Sequence, residues 1–184
     1  MNEKKLIPVI EHHMEDAKNQ KLEYVKLFLV FVAITLVSIF VSIVNNSSYV
    51  EDLNDVELFI SMFMGVFFVT FALFKIINLP NFVSGFMMYD IIAKKSRAYA
   101  KAYPVIQLFL GCAMFVFATN PIVHFLAALV SFIALVGVYI KIQAKEKIHC
   151  ACLGNVIKMP LTTVSAFEDG IMFVLAAYMF LAMI

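Results

Sequence analysis

The run His149-Cys150-Ala151-Cys152-Leu153-Gly154 is the one compact stretch of this chain that is equipped for chemistry. A thiolate is both a nucleophile and a soft metal ligand. Two of the three cysteines stand one residue apart here, so they can act together without waiting for the fold to join distant segments. Two chemistries follow. Copper(I) and mercury(II) prefer thiolate and thioether donors, and Cys150 and Cys152 supply two thiolates with His149 as a third donor. Alternatively the pair closes a disulfide in a small strained ring, and strain makes a disulfide labile, as catalytic disulfides are. The inert alternative is a tight loop at Gly154 with reduced, idle thiols.

Other residues are weaker candidates. Met172, Met179 and Met183 are spaced i, i+7, i+11 and so share one helix face. With Met62, Met64 and Met114 they can line a thioether path, although methionine is more commonly a flexible core filler. Cys112 falls mid-span, where a lone cysteine reads as a small buried apolar residue. His124 follows Pro121 by one turn and reads as a structural hydrogen-bonding group rather than a ligand. Lys75 is expected to snorkel to the membrane interface. Tyr89 and Asp90 either shape the mouth of the bundle or, in the case of Asp90, cap a helix. Glu168 reads as the acid of a Ser165-x-x-Glu168 capping box. Asp169 lacks such an explanation, and an acid entering a membrane is costly and often functional. His12 and His13 are adjacent in sequence and read as surface residues.

These residues must be positioned by membrane helices. The chain has 184 residues, 63% of them hydrophobic, and a mean hydropathy of +0.93. A soluble domain runs nearer ~45–50% apolar, so the excess cannot be hidden in one core. A net charge of +1 gives no footprint for nucleic acid. Three cysteines do not make a secreted disulfide framework. There is no Gly-rich phosphate loop and no convincing nucleophile–base pair, so hydrolysis and phosphoryl transfer have no support. Without Trp, Phe and Tyr must supply any interfacial belt.

Along the chain, residues 1–26 read as a cytoplasmic amphipathic segment and 27–44 as an extra transmembrane helix. That helix is expected to be an uncleaved anchor rather than a signal peptide. The preceding stretch is long and mixed in charge, and no small-x-small site precedes Asn45-Asn46-Ser47-Ser48. A span over 58–77 ends at Asn78-Leu79-Pro80, and 81–93 suits an interfacial or re-entrant helix. Pro104 is expected to start a short span over 105–118, which can borrow length from the turn before Pro104. Thr119-Asn120-Pro121 breaks the chain before a span over 122–142, and a last span covers 166–184. The Cys-x-Cys loop occupies 145–160.

All fourteen Lys and Arg lie in 1–26, at Lys75, in 94–101 or in 141–158, whereas 45–57 and 119–121 have none. Five spans put the basic regions on one side, and the positive-inside rule makes that side cytoplasmic. The amino terminus and the cysteine loop are then inside and the carboxyl terminus outside, in the inner membrane of a bacterium.

Phe74-Lys75, Met88-Tyr89-Asp90, Tyr103-Pro104, Gly111, Cys150-x-Cys152-x-Gly154, Pro160 and Glu168-Asp169 stand in an order that resembles the MauE/DoxX-like membrane proteins. The resemblance covers about residues 58–184. It implies an all-α polytopic bundle, a DoxX-like four-helix core, here with one extra amino-terminal transmembrane helix. MauE proteins are linked to thiol–disulfide maturation of a partner protein. A branch carrying Cys-Ala-Cys-Leu-Gly is often fused to a heavy-metal-associated domain, which implies metal handling. This chain departs from that branch, because residues 1–26 are too short for such a domain and lack Cys. It also carries Gln107 where the family often has Glu.

The leading expectation is a membrane protein that binds and transports or delivers a soft metal ion of the copper(I) or mercury(II) type. Its ligands would be Cys150, Cys152 and His149, with Asp169, Tyr89, Asp90, Cys112, Met172 and Met179 as accessories. The alternative is thiol–disulfide exchange through Cys150 and Cys152, and the third is a non-catalytic membrane assembly subunit. Expected partners are the lipid bilayer, a soluble metal chaperone or thioredoxin-like protein, and further copies of the chain.

Overall fold

The computed structural model describes residues 25–44, 54–143 and 161–184. Among them the chain is all-helical: α1 is Val25–Val44, α2 Asp55–Ile77, α3 Leu79–Tyr89, α4 Arg97–Val116, α5 Pro121–Gln143 and α6 Leu161–Ala182. Four helices (α1, α2, α4 and α5) are long and apolar enough to cross a membrane. α6 has 22 residues, and at ~1.5 Å per residue it is also long enough to cross a hydrocarbon core of ~30 Å. This is a polytopic membrane helix bundle.

Local sequence explains most boundaries. Asn54 precedes α2, and its backbone N–H donates to the Glu57 carboxylate at 3.1 Å, while Asp55 and Glu57 favour the positive end of the helix dipole. Asn78 ends α2, and Pro80 sits in the first turn of α3, where its missing N–H costs nothing. α3 has 11 residues, about 16 Å, and cannot cross a bilayer. It is instead folded back against α2, α4 and α5.

Two expected boundaries are corrected. α4 begins at Arg97 rather than after Pro104, because the Ser96 hydroxyl accepts from the Tyr99 N–H at 3.3 Å and caps the helix seven residues earlier. Pro104 therefore lies inside α4. α6 begins at Leu161, so Ser165 lies within the helix rather than at its N-cap.

α2 and α4 form one pair, α5 and α6 the other, and the pairs meet through α2–α6 and α4–α5. Both pairs are antiparallel. In the first, Gly65 faces Gly111 and Lys75 reaches Gln107; in the second, Phe125 meets Phe180 and Phe132 meets Phe173, with ring centroids 5.3 and 5.4 Å apart. Met64, Phe67, Phe71, Leu110, Met114, Ala127, Met172 and Ala176 fill the central core. α1 packs on α2 through Phe31, whose ring lies 5.8 Å from Phe67 and 6.4 Å from Phe71.

Candidate functional site

The antiparallel pairing brings one end of each core helix together. The last turn of α2, the α3–α4 turn, the end of α5 and the start of α6 share this end. Cys150 and Cys152, with His149, lie in the chain between Gln143 of α5 and Leu161 of α6, outside the described residues. What the structure describes is the polar cluster among the helices at this end.

Lys75 is its hub, and here the structure overturns the expected snorkel. A helical Cβ points toward the helix N-terminus, so a lysine near the end of α2 is aimed back into the bundle. Lys75 is only 7% exposed. Its Nζ donates to Gln107 Oε1 at 2.6 Å and lies 5.1 Å from the Tyr103 ring centroid and 5.6 Å from that of Phe82. Hydrogen bond and aromatic faces replace the water that the ammonium gave up. Phe82, Phe86, Tyr99 and Tyr103 pack ring against ring to build this wall, with Phe86 and Tyr103 centroids 4.5 Å apart. The pairing of Lys75 with Gln107 inside this aromatic wall is what sequence reasoning missed. The signal available was the helical direction of Lys75 together with the aromatic residues at 82, 86, 99 and 103.

Asp90 is fully buried between α3 and α4. Its Oδ1 accepts from the N–H groups of Ile92 at 3.0 Å and Ala93 at 2.7 Å, so one oxygen does cap the following turn. Its Oδ2 has no hydrogen-bond partner among the described residues. Burial pushes the Asp90 carboxyl above the usual carboxylate range, opposed by the Ala93 and Ile92 bonds. Gly137 of α5 closes over this turn: a Cβ there would stand 2.9 Å from the Tyr89 carbonyl oxygen and 3.1 Å from Asp90 Cα. Tyr89 itself is buried edge-on against Phe86, centroids 5.5 Å apart. From α6, Asp169 is partly buried and within electrostatic reach of Lys75 and Asp90. Its neighbour Glu168 is buried at 4% exposure.

The remaining candidates lie elsewhere. Met172 joins the central core with Met64 and Met114, and Met179 is fully buried. Cys112 is exposed on the outer face of α4, which corrects the expectation of a buried cysteine: residue 112 falls on the stripe of Val105, Phe109 and Val116, turned away from the neighbouring helices. His124 is fully buried, and its Nε2–H donates to the Ala118 carbonyl at 2.9 Å, tying α5 to the α4–α5 turn. Among the described residues no three His, Cys, Asp or Glu side chains are grouped to hold a metal ion.

No curated protein matches the chain, and no solved structure matches it. A family model does: residues 53–182 match that of the methylamine utilisation protein MauE. The match spans well over half of the sequence, takes in α2 through α6 and includes both loop cysteines, so the chain belongs to the MauE family.

Proposed function

We propose that the chain is a membrane-embedded thiol–disulfide protein of the MauE type, in which Cys150 and Cys152 exchange disulfides with a partner protein. The observation that carries this reading is the family match, which runs through the cysteine loop as well as the helices. The basic residues support an orientation. Lys94, Lys95, Arg97 and Lys101 stand at the end of the bundle from which the cysteine loop departs, and Lys141, Lys145 and Lys147 follow in sequence. That end then faces the cytoplasm, where thiols are kept reduced.

In the exchange, one thiolate of the pair attacks a partner disulfide and expels a partner thiolate, forming a mixed disulfide. The second cysteine attacks that bond and releases the partner as a dithiol. Two electrons pass to the partner, and Cys150–Cys152 becomes the disulfide. A thioredoxin-like dithiol restores the pair by the same steps in reverse. The one-residue spacing strains the intramolecular disulfide, which favours its turnover.

Trapping tests the reading. Cys150→Ser and Cys152→Ser each remove one of the two attacking groups. The variant that keeps the first nucleophile should accumulate a mixed disulfide, visible on a non-reducing gel and lost on reduction. No adduct in either variant, under reducing or oxidising growth, sinks the proposal.

The donor set favours a second reading. His149, Cys150 and Cys152 offer three ligands within four residues to a soft ion such as copper(I) or mercury(II), delivered by or to a soluble metal chaperone. The purified protein should then bind copper(I) at least tenfold more tightly than the Cys150→Ser/Cys152→Ser variant. Equal affinities would dismiss it.

A further inference from the structure

The polar cluster at the loop-bearing end has a charge that its described neighbours do not balance. Asp90 and Asp169 contribute two carboxyls within electrostatic reach of each other, against the ammonium of Lys75. A buried charge without a partner is costly, and such groups find a counter-ion or take up a proton. Among the buried polar atoms without a hydrogen bond is Asp90 Oδ2, in a side chain with no exposed surface and sealed by Gly137.

We propose that Asp90 is a proton-binding site inside the bundle, with the proton on Oδ2. A metal cation fits this place poorly. Hard cations need about six oxygen ligands, whereas Oδ1 is already engaged by two backbone N–H groups and the Lys75 ammonium lies in the same cluster. A proton needs only the one free oxygen. The groups around it come from each packed element. α6 supplies Asp169, with Glu168 beside it, and α4 supplies Tyr99, which is within electrostatic reach of Asp90. α2 supplies Lys75, α3 ends in Tyr89, and α5 contributes the backbone at Gly137. Lys94 and Lys95 of its own turn are exposed. Protonation of Asp90 leaves Lys75 balanced by Asp169, and loss of the proton leaves two carboxylates in competition for one ammonium.

The sign of the pH dependence follows. A carboxyl held above its unfolded value binds its proton more tightly in the folded protein, so its contribution to stability is complete below the unfolded pKa. That contribution is lost as the pH rises through the folded pKa. Asp90→Asn is the permanent neutral form: it keeps the Oδ1 contacts and places an amide where the proton sits. The test is thermal unfolding of the purified protein in detergent across the acid-to-neutral range, free of any thiol readout. The wild type should lose stability with rising pH. The Asp90→Asn variant should show a shallower slope and unfold no earlier than wild type at neutral pH. Equal slopes, or a variant less stable than wild type at neutral pH, overturns the proposal.

Infrared spectroscopy with Asp90 in place supplies a second arm, which stands even if Asp90→Asn fails to fold. In an Asp169→Glu variant, which keeps the second carboxylate, labelling aspartate with carboxyl carbon-13 should shift a protonated-carboxyl band that is present at neutral pH, and absence of a shifted band overturns the proposal. A profile that moves when sodium replaces choline also overturns it, in favour of a metal cation. Because the cysteines take no part in either measurement, its failure is distinct from failure of the thiol reading.

Discussion

Lys75 is the residue at which simple expectation and structure part most clearly. A lysine two residues from the end of a transmembrane helix ordinarily reaches outward to the headgroups. Here it turns inward to Gln107, Tyr103, Phe82 and the field of Asp169. Lys75→Met keeps the volume but removes the donor and the cation. It should cost ~1.5–3 kcal/mol, the range for a hydrogen bond to a charged group. Asp169→Asn introduced into the Lys75→Met background should recover part of that loss, because the carboxylate would no longer lack its counter-charge. Chemical denaturation in detergent, run as a double-mutant cycle, measures the coupling. Strictly additive effects would mean that Lys75 and Asp169 do not interact. Gln107 gains meaning from the same geometry. Where the resemblance leads one to expect a carboxylate, this chain has a neutral acceptor, so Lys75 remains electrostatically available to Asp169.

At the scale of helices, close approach is set by glycine. A Cβ on Gly111 would stand 2.9 Å from the Gly65 carbonyl oxygen, and one on Gly65 would stand 3.2 Å from the Gly111 carbonyl. These obstacles are backbone atoms, so α2 and α4 can approach this closely only without side chains there. Gly111→Ala must push the helices apart and should destabilise the bundle by ~1–3 kcal/mol, the usual cost of overpacking. The same substitution at Gly170, where the nearest atom is Leu135 Cδ1 at 4.0 Å, should be close to neutral. A thermal-shift comparison of the two variants checks the pair, and equal shifts would remove the helix-crossing argument. The contrast also shows what the sequence makes legible. Apolar length reveals α2, α5 and α6, and Asn78-Leu79-Pro80 and Thr119-Asn120-Pro121 reveal their breaks. The start of α4 was hidden because Pro104 is a stronger visible signal than a Ser96 cap. The polar cluster was hidden for a different reason. Lys75, Asp90, Gln107 and Asp169 come from four separate segments, and only the antiparallel packing gathers them.

For the whole molecule, the decisive feature is what it turns outward. Val105, Phe109 and Val116 are 59%, 74% and 73% exposed, and with exposed Cys112 they form a stripe at i, i+4, i+7, i+11 along α4. Leu36, Phe40 and Ile43 of α1, Ile122 of α5 and Leu181 of α6 are likewise exposed. Such continuous apolar cover is untenable in water and ordinary in lipid. Cys112 is a native probe of this face. In a Cys150→Ser/Cys152→Ser background, a nitroxide attached to Cys112 and returned to a bilayer should be relaxed strongly by molecular oxygen, which concentrates among lipid tails. A polar nickel chelate should leave it unaffected. Relaxation by the chelate would mean that the stripe faces water and that the bundle does not sit in the membrane as its helices imply. Protection from both reagents would instead place a second protein surface over α4. The site is well chosen because Cys112 is exposed on the outer face of α4 whereas Gln107 of the same helix is buried in the polar cluster, so the label reports the surroundings of the bundle without touching the residues proposed to work inside it.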